Sequence, residues 1–262
     1  EDGKRDSFIG LVGSEMCIRD RACFDYGMTK STYGTGCFVI ANTSGEALPS
    51  RNKLLTTVGM RLEGEVTYAL EGSVFVAGSA IQWLRDELRL IDSAPETEGI
   101  VERTGVVDDV IVVPAFAGLG APYWDPHARG AIIGLTRGSD RDAIVTATLQ
   151  SIAYQTSDLM RAIGDDGIAP TVIRVDGGMA ANNWFLQFLA DVLDIPVERP
   201  VNVESTALGA ASLAAMQCGV IGSTSDISEI WSRDAAFEPA MSADRREALL
   251  NAWSKAVSRV SP

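Results

Sequence analysis

Histidine is almost missing from this sequence: His127 is the only one in 262 residues. The four cysteines, Cys17, Cys23, Cys37 and Cys218, show no C-x-x-C spacing. A zinc site of ordinary composition and a Ser-His or Cys-His catalytic pair are therefore disfavoured, and free thiols in a reducing compartment are the plain expectation. No apolar run approaches the roughly 20 residues that cross a bilayer. Residues 1–21 are charged and broken, without the apolar centre of a signal peptide, so a cytoplasmic location away from membranes is expected. Basic residues are also short, 22 Lys and Arg against 35 Asp and Glu, for a net charge of −13. That balance argues against nucleic acid as a partner, because phosphate backbones need a basic stripe. A nucleotide stays compatible, since backbone N–H groups and helix N-termini can grip its phosphates.

What is present is a hydrophobic content of 46%, enough for one large domain with a sizeable core. From Thr32 onward, strand and helix patterns alternate. Strands are expected over 37–42, 66–70, 110–116, 131–135, 171–175 and 196–199. Helices are expected over 77–90, from Asp140 to about Ile163, over 182–193, over 204–217 and over 244–260. In the first of these Ile81, Leu84 and Leu88 share a side; in the last Leu249, Trp253, Val257 and Val260 form a stripe. The run 110–116 reads as a strand covered on both faces, and 118–129 reads as a loop. The alternation points to a layered α/β domain.

Three glycine turns sit where strands give way to loops or helices: Thr32-Tyr33-Gly34-Thr35-Gly36, Ala77-Gly78-Ser79 and Asp176-Gly177-Gly178. Glycine removes Cβ and permits φ > 0, so amides in such turns can converge on an anion while Thr35 offers a hydroxyl. Neither a dinucleotide fingerprint nor a P-loop occurs: Gly118-Leu119-Gly120 runs into Pro122, and no G-x-x-x-x-G-K-S/T is present. The residues alone thus suggest a phosphate- or nucleotide-binding α/β domain.

Longer blocks carry a resemblance. Ser31-Thr-Tyr-Gly-Thr-Gly-Cys-Phe38, Ile81-Gln-Trp-Leu-Arg-Asp86, Gly118-Leu-Gly-Ala-Pro-Tyr-Trp-Asp-Pro126, Ser151-Ile-Ala-Tyr-Gln-Thr156, Arg174-Val-Asp-Gly-Gly178 and Thr206-Ala-Leu-Gly-Ala-Ala211 follow one another. In that order, over residues 22–262, they resemble the C-terminal domain of glycerol kinases within the FGGY carbohydrate kinases. The resemblance implies a ribonuclease H-like domain of the actin/hexokinase/Hsp70 ATPase type, the C-terminal one of the family's two. It also implies ATP with Mg²⁺ as cofactors and glycerol as the phosphoryl acceptor, held mainly by the other domain. A homo-oligomer in the full-length parent is compatible with it. Carried over residue by residue, it implies that Thr35 contacts the phosphate end of the nucleotide and that Gly78 and Gln82 line the nucleoside side. Gly178 and Asn182 would close over the nucleotide, and Phe38 would pack on the carbons of glycerol.

Plainer readings stand beside these. Phe38 in a strand is commonly core, Asn182 is an ordinary helix N-cap, and Gln82 suits a polar helix face. Trp124, Asp125 and Arg129 are expected to belong to a loop packed by its own aromatics and one ion pair, with His127 exposed. The family's general base stands in a Gly-Asp-Gln turn some two dozen residues before the threonine matched by Thr35. That interval falls near residues 10–14, where no Gly-Asp-Gln occurs. Residues 1–21 accordingly read as a non-homologous, disordered or artefactual tail. The remaining 22–262 read as the ATP-binding half, inactive on its own and holding no catalytic or metal-binding residue. The competing readings are a xylulose- or gluconate-type sugar kinase and a non-catalytic nucleotide-binding module.

Overall fold

The structure, a computed structural model, describes residues 23–261 apart from 63, 203–208, 210, 213, 217, 223–225 and 227–231. The tail expected over 1–21 lies outside the described residues, as does much of the helix expected over 204–217; within that stretch 209, 211, 212 and 214–216 are helical.

The first strands among the described residues form a hairpin, β1 (Thr29–Tyr33) and β2 (Cys37–Ser44), joined by residues 34–36. A second hairpin, β3 (Leu55–Leu62) and β4 (Glu65–Val74), pairs antiparallel with β2 through β4. Two short helices follow, α1 (Gly78–Asp86) and α2 (Glu96–Thr104). β5 (Ile111–Val113) and β6 (Ala131–Ile133) form a separate two-stranded ribbon around the 118–129 loop. After α3 (Arg141–Asp165) come β7 (Ile173–Asp176), a 3₁₀ turn (Gly178–Ala181), α4 (Asn183–Leu193), β8 (Val197–Pro200), β9 (Arg233–Phe237) and α5 (Ala243–Val260). The main sheet has the order β3-β4-β2-β1-β7-β8-β9, antiparallel on the β3 side and parallel across β1-β7-β8.

Several expected elements come out shorter; the strand expected over 131–135, for one, ends at Ile133, where Gly134 turns to φ 88°. α1 stops at Asp86, because Arg89 adopts a left-handed φ of 54° and the Leu90 amide turns back to the Leu84 carbonyl. Leu88 is consequently exposed instead of sharing the buried side of Ile81 and Leu84. The strand expected over 110–116 covers only Ile111–Val113, since Pro114 has no N–H to donate to a ladder.

α3 is the centre of the fold. It is buried around most of its circumference, and its polar side chains find partners inside. Gln150 donates to the Val107 carbonyl at 2.9 Å and accepts from the Val107 amide at 2.8 Å. Thr156 meets the Tyr33 hydroxyl at 3.0 Å, fastening α3 to β1. The rings of Trp184, Phe188, Tyr154 and Trp253 pack in succession and join α4, α3 and α5.

Asp158 locks the far end of this assembly. Its carboxyl, almost fully buried, accepts from the Tyr123 hydroxyl at 2.7 Å, the Trp253 indole at 2.7 Å and Arg161 at 2.5 Å. Burial pushes its pKa above the usual carboxylate range, and the three donors pull it part of the way back. Asp158→Ala would leave the indole N–H without its acceptor and is expected to cost about 3 kcal/mol. Asp158→Asn keeps an acceptor in place and is expected to cost less than half of that; urea unfolding of the two variants measures the difference.

Candidate functional site

Parallel pairing of β1 with β7 runs from Thr29↔Ile173 to Thr32↔Asp176, so both strands end at the same sheet edge. Each then enters a glycine turn. Gly177 has φ 84°, and a Cβ there would lie 2.2 Å from the Tyr33 carbonyl oxygen, so the second turn sits directly on the last residue of β1. The third turn joins them from α1. The Gly78 amide donates to the Gly34 carbonyl at 2.9 Å, and a Cβ on Gly78 would fall 2.5 Å from the same oxygen. The Thr35 carbonyl accepts from the amides of Ala77 and Ser79, each at 3.0 Å, and from the Ser79 hydroxyl at 2.9 Å. These bonds fix the backbone of the 34–36 loop and leave the Thr35 side chain exposed at its rim.

Between the three turns and α2 lies a cavity of about 450 Å³. Thr35, Gly78, Gln82, Gly178 and Asn182 all line it, drawn from three segments well separated in the sequence. Its apolar walls come from Tyr33, Ile81, Pro95, Leu149 and Met179. Gln82 is exposed on α1 and faces this space. Asn182 is the N-cap of α4: its side-chain oxygen accepts from the Phe185 amide at 2.8 Å, and its amide nitrogen donates to the Thr97 hydroxyl at 3.3 Å. Glu98 accepts from the Asn183 amide at 2.8 Å.

Two donors at the start of α4 are therefore already engaged by protein groups. The 3₁₀ turn just before it has first-position amides, those of Gly178 and Met179, that lack an intrahelical acceptor by geometry. Anion-binding capacity thus lies in the Asp-Gly-Gly turn itself more than at the helix. Below that turn the buried pair Lys30–Asp176 is formed at 3.4 Å.

Phe38 is not brought to the cavity. It stands on β2 opposite Thr32 and Ser73 and is 45% exposed, so it is neither core nor cavity wall. In the 118–129 loop, Asp125 accepts from the amides of His127 and Ala128 and from the Ser261 hydroxyl. Arg129 donates to the carbonyls of Pro126 and Ala128. The ion pair expected in this loop does not form among the described residues, and His127 is exposed. Trp124 packs edge-on against Phe75 and donates its indole N–H to the Lys53 carbonyl. The turn holds together as a packed loop.

Sequence reasoning missed the α2 wall, Ala94, Pro95, Thr97 and Glu98. A signal was available there, proline followed by two acidic residues, which favours a helix start. Among the described residues, no three His, Cys, Asp or Glu side chains gather into a metal-binding group, and no helix is long and apolar enough to cross a membrane.

Comparison with known proteins gives the chain its family. The model of the FGGY family of carbohydrate kinases, C-terminal domain, matches residues 29–218. A glycerol kinase of Alteromonas mediterranea is 53% identical over 259 residues, covering 98% of this chain and 52% of that protein. One from Ectopseudomonas mendocina is 55% identical over 254 residues, covering 96% and 51%. The chain thus spans about half the length of the curated relatives it matches. The aligned share is larger than residues 22–262 supply, so the boundary expected at Ala22 draws no support from it. Among solved structures, Plasmodium falciparum glycerol kinase with ADP superposes with a TM-score of 0.88 at 37% identity, covering 94% of this chain and 49% of that one. A xylulose kinase from Lactobacillus acidophilus, at 20% identity and a TM-score of 0.80, shares the fold. The α/β sheet, the cavity at its edge and the match over most of its length together establish that the chain belongs to the FGGY family of carbohydrate kinases, as their C-terminal domain.

Proposed function

We propose that the chain is the ATP-binding half of a glycerol kinase, which transfers the terminal phosphoryl group of ATP to glycerol to give sn-glycerol 3-phosphate. The observation that carries this reading is the gathering of Thr35, Gly78, Gln82, Gly178 and Asn182 around one cavity beside two strand-end glycine turns. Its volume of about 450 Å³ lies in the usual range for small-molecule sites. The relative solved with ADP is similar over 94% of the chain.

In this reading the base and ribose lie against Ile81, Pro95 and Leu149, with Gln82 and Asn182 as polar markers. The phosphates run toward Thr35 and the amides of the Asp-Gly-Gly turn. Such turns stabilise negative charge with donors already in place, so little reorganisation is needed as charge moves during in-line transfer. Mg²⁺ usually keeps several waters and binds through nucleotide phosphates with one or two carboxylates. In this reading the metal arrives with its nucleotide, where it neutralises phosphate charge. Phe38, on the exposed face of β2, is assigned to the carbons of glycerol. The general base and most glycerol-binding groups are assigned to sequence outside 22–262, because no Gly-Asp-Gln stands at the family spacing in this chain. With no base to reach the attacking hydroxyl, this chain binds but does not turn over.

Calorimetric titration tests the binding half of the reading, with ATP expected to bind in the range of roughly 1 μM to 1 mM. Absence of heat and of competition at the top of that range would remove the nucleotide assignment. In the same preparation, no glycerol 3-phosphate is expected above a no-enzyme control, and its steady formation would overturn the proposed lack of turnover.

Gly178→Ala separates binding from folding. A Cβ at this position meets no atom within 4 Å, so the melting temperature should hardly move. The methyl nonetheless stands where the phosphates must approach, and ATP affinity should fall about tenfold or more. Gly177→Ala, at φ 84° and 2.2 Å from a carbonyl oxygen, should instead lower the melting temperature by several degrees.

A further inference from the structure

The ion pair Lys30–Asp176 has no role in the reading above, and stability explains it poorly. Both side chains are almost fully buried, 1% and 2% exposed, with Nζ 3.4 Å from Oδ2. A buried pair gains little over apolar residues of the same shape, since taking two charges out of water offsets most of their attraction. Its place in the fold is more telling. Asp176 is the last residue of β7 and pairs with Thr32, on the final rung before both strands open into their glycine turns. Lys30 stands two residues earlier on β1, opposite Arg174, whose guanidinium is directed to Glu198 at 3.3 Å. An aspartate at the end of β7 therefore stands two residues before Gly178, where the 3₁₀ turn begins with amides that lack an intrahelical acceptor.

We propose that Lys30 is a positioning residue for the phosphate end of the nucleotide. It neutralises Asp176 from behind, so that the Asp-Gly-Gly turn presents its N–H groups to a polyphosphate without a buried negative charge opposing it. Asp176 in turn ties Lys30 across the β1–β7 seam and sets the two glycine turns side by side. The inference rests on the nucleotide-binding reading and adds to it a charge-specific role: the pair matters for phosphates and not for the nucleoside.

The test uses ADP and adenosine as paired calorimetric probes, with chelator present so that divalent metal plays no part. Lys30→Met is expected to weaken ADP binding by about tenfold or more while leaving adenosine within about twofold. The double variant Lys30→Met/Asp176→Asn removes both charges and should bring ADP affinity back to within about threefold of the parent. Should Lys30→Met fail to fold, the double variant decides. The inference is overturned if Lys30→Met weakens adenosine as much as ADP or changes neither, or if the folded double variant still loses ADP tenfold. A parent chain that binds neither probe overturns the nucleotide reading itself, which is a separate and distinguishable result.

Discussion

Parallel pairing between β1 and β7 is the constraint on which the rest of the site depends. Two strands that lie side by side and point the same way must end at the same edge, and here each ends in a glycine turn. The turns touch through backbone, Gly177 lying on the carbonyl of Tyr33, with no side chain between them to adjust. α1 then adds its own glycine against Gly34, and the cavity is enclosed when α2 reaches the cap of α4 through Thr97 and Glu98. The cavity follows from the topology once glycine stands where atoms would otherwise collide.

The elements legible in the sequence were those with strong apolar periodicity or explicit caps. α3 begins after Asp140, which accepts from the Ala143 amide, and α4 begins after Asn182, both as the capping pattern indicates. What escaped the reading escaped for physical reasons. β1 reads Thr-Lys-Ser-Thr-Tyr and looks like loop, yet it is central and buried because Ser31, Lys30 and Tyr33 each find a partner inside. β3 and β9 are sheet edges: the first carries a register shift between Val58 and Met60, and the second is five residues rich in charge and alanine. α2 has a glycine in its interior and only Thr97, Ile100 and Val101 buried, too little for a helical stripe to declare itself.

The site was legible in a different way. Glycine turns alone gave an expectation of phosphate binding, and only the ordered blocks made it specific to one family. Asp158 gave no such warning, because a lone acid within a long helix looks solvent-facing until tertiary contacts supply its donors. Lys30 was hidden likewise, since nothing in a strand sequence announces that its charged residue is matched by an aspartate more than a hundred positions away.

The row of rings from Trp184 through Phe188 and Tyr154 to Trp253 has a consequence for how natural variation in this protein should be interpreted. It couples the last helix of the chain to the helix whose start walls the cavity, by way of α3, whose Leu149 also lines that cavity. Packed aromatic layers transmit displacement because they have little free volume to absorb it. Substitutions in the C-terminal helix, which supplies none of the cavity's lining, would therefore be felt at the cavity, and mapping by proximity alone would misfile them.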